Sequence, residues 1–178
     1  MAPRERSAWT MLLALISGFA LSQAYRTVAA VMAPPLQAQL GLSPQQLGLF
    51  AAAFHFAFGG LQLFMGIAID VWGPRRTVLA AFPLVVVGSA VCATAPGSGQ
   101  LLIGQALIGI GCAPAFLVCT VFIARRFPAE RLAAVSGAAL GIGSVGLLLT
   151  GTPLAWVVEA GTWRAGFVSL AVMSVFAW

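Results

Sequence analysis

An all-α, polytopic membrane bundle of about six spanning helices is the fold this sequence predicts, on three observations. Hydrophobic residues make up 61% of the 178, charged residues only 7%, and the mean hydropathy is +1.01, whereas roughly a quarter of the residues of a soluble domain are charged. Apolar runs of about the 20 residues that a helix needs to cross a bilayer recur along the whole chain. Seven of the nine arginines fall in three short stretches between those runs, at Arg4 and Arg6, at Arg75 and Arg76, and at Arg125, Arg126 and Arg131. Basic residues resist translocation, so this spacing predicts the inner side of each hairpin and a cytoplasmic N-terminus in the cell (plasma) membrane. The formal charge of +5 therefore reflects topology. Its arginines are divided among separate loops and form no basic face, so no nucleic-acid partner is expected.

Five full segments are predicted, at roughly Thr10 to Met32, Gln46 to Ile69, Thr77 to Ala95, Gln100 to Ile123 and Leu132 to Val158. A sixth begins near Thr162 and is still apolar at Trp178, about 25 Å along at 1.5 Å per residue, so it reads as cut off. The first segment is too long for a signal peptide, and Arg26 lies where a small-residue cleavage site would be needed. Pro34 and Pro35 are expected to stop it, because proline lacks the amide and disfavours helix in the residue before. Ser43 reads as the N-cap of the second helix, with Pro44 at its first position. Residues 127–130 read as a turn ahead of the fifth. Cys92, Cys112 and Cys119 lie inside apolar runs without metal or disulfide spacing, so they read as packing residues, and no metal or cofactor is expected.

The connection between segments two and three carries the most information. Asp70 ends a helix whose dipole it opposes, so it needs a cationic partner, and Arg75 and Arg76 are candidates. Gly66 offers a close approach to another helix, and Gly73 the tight reversal of a short loop. Gly66, Asp70, Gly73, Arg75 and Arg76 stand in the order, spacing and sidedness of the loop-two motif of the major facilitator superfamily, and the chain resembles that family over nearly its whole length. Residues 101–111 are similar to its helix-four motif, with Gln105 where the family has an arginine, and Trp163 and Arg164 are similar to its helix-six start. The family's usual arginine after the aspartate is Val71 here.

The resemblance implies a secondary transporter that moves a small solute by alternating access, in a twelve-helix fold built of two halves, each a 3+3 inverted repeat. Residues 1–178 would be the N-terminal half, with Asp70, Arg75 and Arg76 at its inner gate. A second six-helix half, as a separate chain or a second copy, would complete it. The alternative is a half-size membrane protein or truncated fragment acting as assembly partner or regulator. An enzyme is not expected: residues 134–137 lack the first glycine of an intramembrane serine-protease motif, and no zinc-protease motif or paired intramembrane aspartates occur.

Cavity candidates are the polar groups inside apolar runs. His55, near mid-membrane, reads either as functional or as a neutral ring bonded to a neighbouring helix. Arg26 either snorkels outward or faces the cavity, where a fixed charge would favour an anionic substrate. Gln62 lies on the face of His55, while Gln23 and Gln105 are amides that also suit interhelical bonding. In segment five, Gly137, Gly141 and Ser144 share a face suited to close helix packing. The family's glycine-proline antiporter motif is interrupted there, with Thr152 between Gly151 and Pro153.

Overall fold

The computed structural model describes residues 3–178, without the side chains of residues 3–7 and of Leu149. The expected basic start at Arg4 and Arg6 thus falls outside the described side chains. The described residues form a bundle of helices with no strand among them. These are α1 (Pro3–Leu40), α2 (Pro44–Trp72), α3 (Pro74–Ala81), α4 (Pro83–Ala93), α5 (Ser98–Cys112), α6 (Pro114–Arg126), α7 (Ala129–Leu149), α8 (Thr152–Ala160) and α9 (Trp163–Ala177). They make five spans long and apolar enough to cross a membrane, α1, α2, α3 with α4, α5 with α6, and α7 with α8. The 15-residue α9 is a sixth, shorter apolar helix.

Helix ends follow local chemistry. Ser43 caps α2 as expected: its hydroxyl accepts from the Gln46 amide at 3.3 Å, while the Gln46 side chain accepts from the Ser43 amide at 2.8 Å, a reciprocal capping box. Gly73 reverses the chain between α2 and α3 at φ 84° and ψ 159°, a region that side chains with a Cβ avoid. The turn before α7 is shorter than expected, since Ala129 and Glu130 are already helical.

Two expectations about proline are corrected. Pro34 and Pro35 do not stop the first helix, which continues to Leu40 and ends at Gly41, φ 64°. Proline's own φ is helical, and Met32 and Leu36 are fully buried on the bundle, so packing outweighs the lost hydrogen bonds. Conversely, spans read as continuous are interrupted near Pro83, Pro114 and Pro153, the first two opening a new helix and the third standing second in one. Phe82 and Ala113 keep right-handed helical angles. There the missing amide relaxes one turn's bonding while the span continues.

Packing pairs the spans in a pattern. Span one packs on span five, span two on four, and span three on four and six, while span one also touches four and six. Exchanging spans one, two and three with four, five and six reproduces the same pairs, and the two units begin at opposite ends of the bundle. This is the packing of an inverted three-plus-three repeat. The sequence carries no visible echo of it. At the centre the Tyr25 hydroxyl bonds Ser89 Oγ at 2.7 Å and Ser174 Oγ at 3.0 Å, joining spans one, three and six where all three residues are buried.

Sidedness is consistent among the described residues. Trp9 meets Phe127 edge to face at 5.1 Å, and Arg125 reaches Asp70. The start of α1 and the two arginine-bearing turns therefore share one end. At the other end Gln46 bonds Ser98, and Arg164 donates to the Ala95 carbonyl at 3.0 Å.

Candidate functional site

Arg26 turns inward along the bundle. Its guanidinium lies over the Phe58 ring, 4.4 Å from the centroid, and Phe58 is halfway along α2, so the side chain does not reach outward to the end of α1. Its Nε is buried and has no hydrogen-bond partner. Gln23, one turn earlier on α1, has a buried, unpartnered Oε1, and so does Gln105, which is 1% exposed on α5. Gln105 stands one turn before Gly109, whose missing side chain lets α5 lie against the backbone of Phe54 and Phe58. A Cβ at Gly109 would sit 2.5 Å from the Phe54 carbonyl oxygen. Arg26 and the Gly109 turn thus meet the same stretch of α2. Four buried polar atoms lack a partner among the described residues, the fourth being the Trp163 indole Nε1; buried polar atoms are nearly always hydrogen-bonded, so the three on Arg26, Gln23 and Gln105 stand out. They offer a cationic donor and two acceptors.

The other candidates are placed differently. Gln62 donates to the Ala113 carbonyl at 3.3 Å, bracing the Pro114 interruption. His55 is exposed, and its Nδ1 lies 2.9 Å from the Ala51 carbonyl of its own helix. It is bonded to no neighbouring helix among the described residues, and it stands beside Phe56, which is 80% exposed. It does not join Arg26 and Gln105.

At the arginine-bearing end, Asp70 pairs with Arg125 at 3.4 Å, not with Arg75 or Arg76, which are exposed. Asp70 and Arg125 are themselves 75% and 56% exposed, so the pair holds little energy in this form. Arg125 was missed by sequence reasoning because it comes from another turn, 55 residues away. The available signal was that both turns lie on the same side. At Gly66 a Cβ would meet only a Leu117 methyl at 4.0 Å, so no described helix approaches closely there.

Among the described residues, segment five packs through a face other than that of Gly137, Gly141 and Ser144. Gly137, Gly141 and Ser144 are exposed, and a Cβ at either glycine would meet nothing within 4 Å. The face that packs is Val135, Ala139, Gly143 and Gly146, all buried. A Cβ on Gly143 would overlap the Phe19 ring, and one on Gly146 would fall inside the Ala20 carbonyl.

The fold defines a polytopic helical membrane protein with unpartnered polar groups buried in its bundle. Residues 14–178 match the model of the Major Facilitator Superfamily, and the chain belongs to that family. It is 26% identical to a hexuronate transporter of Bacillus subtilis over 84% of this chain and 36% of that protein. It is 33% identical to the uncharacterized MFS-type transporter EfpA of Mycobacterium tuberculosis over 80% of this chain and 27% of that one. A probable sulfoacetate transporter, SauU of Cupriavidus necator, is 25% identical over 84% and 35%. The chain thus spans about a third of the length of these relatives.

Proposed function

We propose that this chain is the N-terminal half of a secondary transporter that carries a small anionic solute by alternating access, with Arg26 as the anion-binding residue. The observation that carries the reading is the buried Arg26 Nε without a partner, on a side chain that meets the same stretch of α2 as the Gly109 turn of α5. A guanidinium in an apolar bundle is costly unless an opposite charge completes it, and its planar fork suits a carboxylate. The hexuronate and sulfoacetate relatives are named for anions, which supports the same class.

A second six-helix half would bear on the open face of Gly137, Gly141 and Ser144 and on that of α2. The Asp70–Arg125 pair, with Arg75 and Arg76, would form the inner gate against it. His55 is proposed to belong to that interface rather than to the anion site, and Gln62 to support the wall of the cavity. The arginine distribution supports a cytoplasmic N-terminus in the plasma membrane. No enzymatic activity is proposed.

Substrate binding gives the test. With the chain joined by the second half proposed above, glucuronate at saturating concentration is expected to raise the unfolding temperature by a few degrees, as selective binding to the native state requires. Glucose, its uncharged counterpart, is expected to leave it unchanged. Equal shifts with both sugars would remove Arg26 as an anion selector. No shift with glucuronate, sulfoacetate or other small carboxylates would favour the half-size partner or regulator.

A further inference from the structure

A groove of about 700 Å³ opens at the end of the bundle that holds Asp70, between the start of α1 and the turn joining α6 to α7. Among the described residues, Arg125, Arg126 and Arg131 line it with the carboxylate of Glu130, and Trp9 and Phe127 form an aromatic wall. Arg125 uses a single nitrogen on Asp70, leaving other donors of its fork for a second acceptor. Arg126 makes no ion pair among the described residues. Up to about three turns further along the same helices, a narrow, mainly apolar crevice of about 20 Å³ is lined by Phe19, Phe116, Ile123, Ala139 and Leu140. Basic groups at a membrane edge, an aromatic wall beside them and an apolar surface deeper in match the parts of one amphiphile, an anionic head above an acyl chain.

We propose that this groove binds the phosphodiester head of an anionic phospholipid from the bordering leaflet, through Arg126 with Arg125 and Arg131, while an acyl chain packs over the apolar surface around the crevice. A free phosphate would satisfy the arginines equally well, but it would leave that surface unused. The inference requires that the chain span a bilayer and is independent of which solute is moved, so a failure here leaves the transport reading intact.

Lipid retention measures it. The 178-residue protein, purified in mild detergent with equal phosphatidylglycerol and phosphatidylcholine of matched chains, is analysed by native mass spectrometry. Phosphatidylglycerol is expected to be retained roughly tenfold over phosphatidylcholine, from two to three nearby arginines. The preference should fall as salt rises. Arg126→Gln with Arg131→Gln should bring the ratio near unity, while Arg75→Gln with Arg76→Gln should preserve it. A wild-type ratio near unity, or one insensitive to salt, would overturn the proposal without recourse to any variant. Retention unchanged by the first pair of substitutions would overturn it too. Displacement of the lipid by millimolar inorganic phosphate would reassign the groove to a soluble anion.

Discussion

Arg26→Met is expected to abolish transport of the anionic solute while making the protein more stable. Removing one partner of a buried charge-assisted contact costs about 2–5 kcal/mol of binding, so uptake efficiency should fall by roughly 30-fold or more. In the unliganded protein, however, the guanidinium is a liability, since its Nε is buried without a partner. An unsatisfied buried donor costs about 1–3 kcal/mol, and more when charged. Its contact with Phe58 returns about 0.5–2 kcal/mol, so the methionine variant is expected to unfold some 2–4 °C higher. Arg26→Lys keeps the charge but not the planar fork and should lie between the two in uptake. Thermal unfolding in detergent and uptake into vesicles read the two effects separately. Loss of uptake together with loss of stability would make Arg26 a structural residue.

Gly146→Leu is expected to prevent the bundle from assembling. Overpacking a core ordinarily costs about 1–3 kcal/mol because side chains move aside. Here the first atom met is the backbone carbonyl of Ala20, which has no rotamer to change, so α1 and α7 must separate. The protein should be recovered aggregated, and size-exclusion chromatography in detergent checks this. Gly141→Leu, five residues away on the open face, should leave the 178-residue protein monodisperse. It should impair uptake only in the protein completed by the proposed second half, which approaches that face. Equal behaviour of the two variants would contradict the assignment of faces.

The contrast between these glycines marks how far the sequence could be read. Local rules place the spans and some of their ends, through hydropathy, the Ser43 cap and the reversal at Gly73. Which glycine face packs inward is a tertiary choice. Gly137 and Gly141 share a face, and Gly143 and Gly146 share another, and both satisfy the same small-residue pattern. Only the position of α1 separates them. The partner of Asp70 was hidden for the same reason, since Arg125 is distant in sequence and adjacent only once spans two and four pack side by side. Proline was misread in both directions because its cost depends on what the following residues bury. Leu36 has a core to enter beyond Pro34 and Pro35, so the helix continues. The buried polar groups were partly legible: Arg26 and Gln105 are rare groups in apolar runs. That their atoms lack partners, while Gln62 has one and His55 faces away, required coordinates.

Uptake by the wild-type protein tests the central proposal most directly. The chain, together with the second half proposed above, would be reconstituted in lipid vesicles preloaded with unlabelled glucuronate, and accumulation of labelled glucuronate would be followed against labelled glucose. An alternating-access carrier with an arginine-based anion site predicts a transient overshoot of labelled glucuronate and none of glucose. Overshoot with glucose as well, or none with glucuronate or any other small anion preloaded in the same way, would contradict it.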